Sequence, residues 1–150
     1  MSVALRFNIR ELQRFDRVMD RLSNLNRRQL AEDLGSELEN QTRRRITTEK
    51  YAPDGTQWVG WTADYAATRH GGHSLLEGEG DLVDSIQFLV AGDANSIEVG
   101  SNLVYAAVHN FGSAEDDAND IPARQYLGLS AENAADLEDL VIGYYEETLQ

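Results

Sequence analysis

The sequence predicts an α+β fold, and three observations carry the prediction. Apolar residues alternate at period two near the N-terminus and again near residues 82–99. They recur at intervals of three and four in the longer stretches before and after. No regular strand–helix alternation and no internal repeat runs along the chain, so segregated helices and strands fit better than a parallel α/β sheet. The expected architecture is N-terminal helices, a central antiparallel β-hairpin or sheet, and a C-terminal helix packed on the sheet. At 150 residues the chain fits one domain, 1–150, with a helical N-terminal part at about 9–48.

Val3, Leu5, Phe7 and Ile9 alternate with Ala4, Arg6, Asn8 and Arg10, the signature of a short strand. Leu12, Phe15, Met19 and Leu22 then fall at helical spacing, predicting a helix over about 9–23 that Asn24 and Asn26 break. A second helix is expected over about 27–48, with the apolar line Leu30, Leu34, Leu38 and Ile46. Gly35 inside it either permits close packing or marks a kink. Pro53-Asp54-Gly55 signals a turn, and Thr62 is placed to cap a short helix running to Ala67. Residues 69–81, RHGGHSLLEGEGD, read as a mobile loop. Leu82 through Ala91 reads as a strand, 92–95 as a hairpin loop and 96–100 as its partner strand. Residues 103–111 are apolar at helical spacing up to Gly112, residues 113–120 form an acidic loop, and 121–129 are extended around Pro122. Ser130 caps a last helix over 131–149, whose apolar line includes Leu137, Leu140, Val141, Tyr144 and Tyr145.

Charge is spread unevenly. Residues 1–50 hold eleven Lys+Arg against eight Asp+Glu, whereas residues 51–150 hold two, Arg69 and Arg124, against eighteen. The acidic two-thirds would repel phosphates, which argues against direct nucleic-acid binding. Unlike halves suit head-to-tail contact between copies, a basic face meeting an acidic one. There are no cysteines, which excludes disulfides and thiolate chemistry. No apolar run approaches the ~20 residues needed to span a bilayer, and the N-terminus has no signal-peptide core, so the expectation is a chain made in the cytoplasm with no membrane partner.

Few patterns suggest chemistry. His70 and His73 flank two glycines and specify no third ligand, so a solvated loop outweighs a metal site. Glu77, Glu79, Asp81 and Asp84 resemble the paired carboxylates of glycoside hydrolysis and support an alternative reading as a small cell-wall hydrolase. In a chain this acidic, solvation is the simpler account. No nucleophile-elbow motif frames Ser74 or Ser85 beside His109, and no phosphate-binding glycine loop occurs. No catalytic residue, metal or cofactor is expected. Arg43, Arg44 and Arg45 form the only basic run. They fit a helix C-terminus, or else a nucleic-acid module that the net charge of −13 disfavours. Trp58 and Trp61 fit burial or an interface.

Four segments, read together, resemble the virion morphogenesis, or tail-completion, family of Mu-like phages. They are APDGTQW at 52–58, Leu75-Leu76 leading to LVDSI at 82–86, VGSNLVYAAVHNFG at 99–112, and IPARQYLGLS at 121–130. The last two are the most specific. The chain departs from the family pattern in its acidic turn at 77–81 and in Gln125, where relatives often carry proline. The resemblance implies a non-enzymatic structural protein of the virion that completes the tail or neck and helps join head to tail. It implies self-association into a ring, commonly six-fold, alongside other neck, connector and tail proteins. The interface and structural candidates are Arg43, Arg44, Arg45, Trp58, Trp61, Tyr105, His109, Phe111, Arg124 and Tyr126. Tyr105, His109 and Phe111 are expected to pack beside the hairpin, with Arg124 pairing an acid. Loops 69–81 and 113–120 are expected to order only on assembly.

Overall fold

A computed structural model of the chain describes residues 1–9, 22, 24–69, 71–114 and 120–148. The helix expected over 9–23 lies almost wholly outside the described residues, as do His70 and the middle of the acidic loop at 113–120.

The N-terminal alternation forms strand β1, Val3–Asn8. Helix α1, Asn24–Arg44, follows and runs into a π-helical turn, Arg45–Glu49. Two short helices, α2 (Ala63–Ala66) and α3 (Asp81–Ser85), precede strand β2, Gln87–Val90, and strand β3, Ser96–Ser101. Helix α4, Ala106–Phe111, and helix α5, Ala131–Thr148, complete the order. The α+β class holds.

The sheet is antiparallel, in the order β1-β3-β2. Register explains the alternation. Leu5 lies opposite Val99 and Val99 opposite Phe88; Phe7 lies opposite Ile97 and Ile97 opposite Val90. These two rows share the inner face. On the outer face Arg6 lies opposite Glu98 and pairs with its carboxylate.

The strand expected from Leu82 to Ala91 is two elements. Gly80, at φ 94°, turns the chain, and the Asp84 N–H donates to the Gly80 carbonyl at 2.9 Å. Leu82 and Ile86 are both buried. Their four-residue separation serves one turn of helix as well as a strand, and acids at the helix start favour the helix through its dipole. Only 87–90 remain extended.

Helix α1 lies across the inner face of the sheet. Leu30, Leu34, Leu38 and Ile46 are buried as their spacing predicts. Gly35 serves close packing, not a kink: a Cβ there would overlap the Phe88 ring. The C-terminal helix packs chiefly on α1, which itself lies on the sheet. Leu137 and Val141 are its buried apolar residues, each such side chain contributing about 1.5–3 kcal/mol by burial. Ser130 Oγ accepts from the Asn133 N–H at 3.0 Å, and the Tyr144 hydroxyl donates to Asp33 on α1.

Gly35→Ala is expected to destabilise the fold by about 1–2 kcal/mol, because overpacking outweighs the gain of about 1 kcal/mol in helix propensity. Urea denaturation measures it. A Phe88→Leu background should reduce the loss, and an equal loss in both backgrounds contradicts the contact.

Candidate functional site

The three arginines at 43–45 have different roles. Arg44 is exposed and shares Glu49 at 3.1 Å. Arg43 donates to the Ile86 carbonyl at 2.7 Å and pairs with Glu39 at 3.0 Å. Arg45 is 1% exposed. Its guanidinium donates to the carbonyls of Tyr126, at 2.8 Å, and Gly128, at 3.2 Å, and to the Asn133 side chain. Burial holds its pKa below the usual arginine value. The Glu49 carboxylate opposes that shift and Arg44 reinforces it. At 4.0 Å and partly solvated, Glu49 is a weak counterion, so carbonyl dipoles carry most of the compensation.

The π-turn places Arg45 where it can do this. An extra residue per turn at the end of α1 brings Arg45 and Ile46 together into the interior, and Lys50 closes the turn in a left-handed conformation at φ 61°. The Lys50 ammonium donates to Ser74 Oγ at 2.9 Å, to the Leu75 carbonyl at 2.8 Å and to the Ile46 carbonyl, with Glu77 at 3.6 Å. The loop expected to be mobile at 69–81 is therefore tied down over 74–77, where Ser74 and Glu77 also exchange backbone hydrogen bonds at 2.8 and 2.9 Å.

Residues 121–130 are held from several further sides. Trp58, buried, donates its indole N–H to the Gln125 carbonyl at 3.0 Å. Asn110 Oδ1 accepts from the N–H groups of Tyr126 and Leu127 at 3.0 and 3.1 Å. The Tyr126 hydroxyl, fully buried, donates to the Ala106 carbonyl at 2.7 Å. Gly128 stands at φ 146°, and a Cβ there would meet Pro53 Cγ at 2.6 Å. Ser85 and Ser101 join their hydroxyls at 2.7 Å. The four segments 52–58, 75–86, 99–112 and 121–130 thus meet in one hydrogen-bonded node at the C-terminal end of α1.

Arg124 differs from expectation. It pairs with no acid among the described residues; Nε donates to the Val59 carbonyl at 2.8 Å and its guanidinium reaches the Gly60 carbonyl at 3.4 Å. The Arg124 N–H donates to the His109 carbonyl at 2.9 Å. Residues 59–60 and 109 are therefore drawn to one point. Tyr105 and Phe111 do not pack beside the hairpin: they are 41% and 70% exposed. Alternation around a six-residue helix turns Ala106 and Asn110 inward and leaves these aromatics outside. The His109 ring meets Tyr105 edge-on at 5.7 Å, and its buried Nδ1 lacks a hydrogen-bond partner among the described residues. Trp61 is half-buried and meets Tyr65 edge-on at 5.8 Å. Arg69 lies 4.6 Å over the Tyr65 ring.

The acidic cluster is divided among local partners. Glu77 faces Ser74 and Lys50, and Glu79 reaches His73 at 3.1 Å. Among the described residues no group of three His, Cys, Asp or Glu side chains is placed to hold a metal ion. No described helix is long and apolar enough to cross a membrane.

A model of the phage virion morphogenesis family matches residues 10–146. The chain belongs to the phage virion morphogenesis family. The match spans the whole node, and membership implies a virion-associated protein with a morphogenetic role. Comparison with curated proteins and with solved structures found no match.

In this virion morphogenesis protein, sequence reasoning missed Lys50, Asn110 and Asn133, which are the polar partners of the node. Arg45 carries a signal of its own: it stands seven residues after Leu38, in line with the core face of α1, whereas Arg44 does not.

Arg45→Met is expected to cost about 3–5 kcal/mol in chemical denaturation, since three acceptors lose their donor. Arg44→Ala should stay within about 0.5 kcal/mol. Equal effects would contradict the assigned burial. His109 supplies a pH test. Burial, and secondarily Arg124, lower its pKa in the folded state. The unfolded chain therefore takes the proton first, and stability should fall as pH drops below about 6.5 until the folded pKa is passed. His109→Gln should flatten the stability profile between about pH 7 and 5.5; an unchanged slope contradicts the assignment.

Proposed function

We propose that this protein is a structural, non-enzymatic subunit that completes the tail or neck of a phage particle and helps join head to tail as part of an oligomeric ring. The supporting observation is the division of labour within the family segments. Their buried polar groups, the His109 ring apart, are committed to internal hydrogen bonds, while Val59, Tyr65, Tyr105 and Phe111 beside them remain exposed. A catalytic centre needs polar groups convergent on open space. An assembly subunit needs a rigid scaffold and an exposed apolar surface. The partners in this reading are further copies and the neck, connector and tail proteins, with a copy number matched to tail symmetry, six-fold being the simplest.

A phage lacking this chain should accumulate filled heads and separate tails, and supplying the chain in trans should restore joined particles. Electron microscopy of lysates counts them. Normal joined particles in its absence, or purified virions free of the chain, would overturn the reading.

A further inference from the structure

Most exposed apolar side chains on a soluble protein are scattered singly. Here several are gathered. Val59 and Tyr65 lie on one side of Arg124, Tyr105 and Phe111 on the other, and Arg124 bonds to the backbone of both sides. Of the two Lys and Arg residues in 51–150, Arg124 is buried behind Val59, where it fixes the shoulder's backbone, and Arg69 stands outside on the Tyr65 ring. Arg69 is exposed, and its stacking on Tyr65 fixes the direction of its guanidinium.

A second feature has the opposite character. Between α1 and α5 runs a shallow groove floored by Leu140 and Tyr144 and lined by Glu37, Asp136, Asp139 and Glu147. None of these four carboxylates forms an ion pair among the described residues. Ile142, on the same helix, is exposed.

The geometry points to a contact between copies in which the aromatic shoulder of one docks on the acid-lined α1–α5 groove of the next. The occupant is a second copy because the two surfaces complement each other in both respects. Each is partly apolar, and the shoulder presents one exposed cation, Arg69, while Asp136, Asp139 and Glu147 of the groove have no cationic partner among the described residues. Aromatic side chains and arginine are the residue types that concentrate binding energy at interfaces. Two unlike surfaces on one chain make a heterologous contact, the kind that builds rings or filaments. The inference rests on the ring reading above and assigns its surfaces.

The test is a charge swap at two exposed positions, read by sedimentation velocity at low salt. Arg69→Glu and Asp139→Lys should each weaken self-association about tenfold or more. The chain carrying both should recover to within about threefold of wild type, since every contact regains an opposite pair. Wild-type association should weaken as salt rises. Thermal unfolding of each variant, expected within about 0.5 kcal/mol of wild type, separates loss of contact from loss of fold. Self-association indifferent to both single changes overturns the inference. So does a double variant no better than the singles, or a wild-type chain monomeric up to about 1 mM. Head–tail joining itself is decided separately, by the particle counts.

Discussion

The structure depends on one buried cation. Arg45 sits at the end of α1 with its charge inside the protein, and the fold is arranged so that this is tolerable. Taking a guanidinium out of water costs several kcal/mol unless its donors are satisfied. Here the acceptors are two carbonyls of the 121–130 segment and one side chain of α5. Each would lack a donor without Arg45. The arginine therefore converts an extended, irregular stretch of chain into a fixed one, and couples it to both long helices at once.

The remainder of the node follows from that constraint. A segment without regular secondary structure must find partners for its backbone outside a ladder. Asn110, Trp58 and Arg45 provide them, each from a different part of the chain. Glycine at 128 lets Pro53 approach, and Tyr126 fills the interior beneath. Once these inward contacts are made, the residues between them face outward. Val59, Tyr105 and Phe111 are exposed because their neighbours are committed. A rigid node with an apolar outer surface is a form suited to assembly, consistent with membership of the phage virion morphogenesis family.

Legibility in the sequence tracked the range of the interactions. Strand β1, the Thr62 and Ser130 caps, the hairpin at 92–95 and the long helices rest on local periodicity or on contacts a few residues apart, and all were readable. Asp81–Ser85 was misread because a four-residue apolar spacing over one turn suits helix and strand alike. The node was only half readable. The 99–112 and 121–130 segments stood out by their resemblance, but which side chains turn inward depends on contacts between residues far apart, such as Arg45 and Tyr126. Arg124 shows the limit most clearly. A buried cation in an acidic chain suggests an acidic partner, whereas carbonyls at 59 and 60 serve it, and no local pattern announces a carbonyl.

Hydrogen–deuterium exchange on an Arg45→Lys variant tests the central claim most directly, because lysine keeps the charge and loses the planar fork. If Arg45 organises the node, the amides of Trp58, Tyr126 and Leu127 should lose protection together, while those of β1 and β3 keep theirs. Unchanged protection at 126 and 127, or a uniform loss that includes the sheet, would contradict the account.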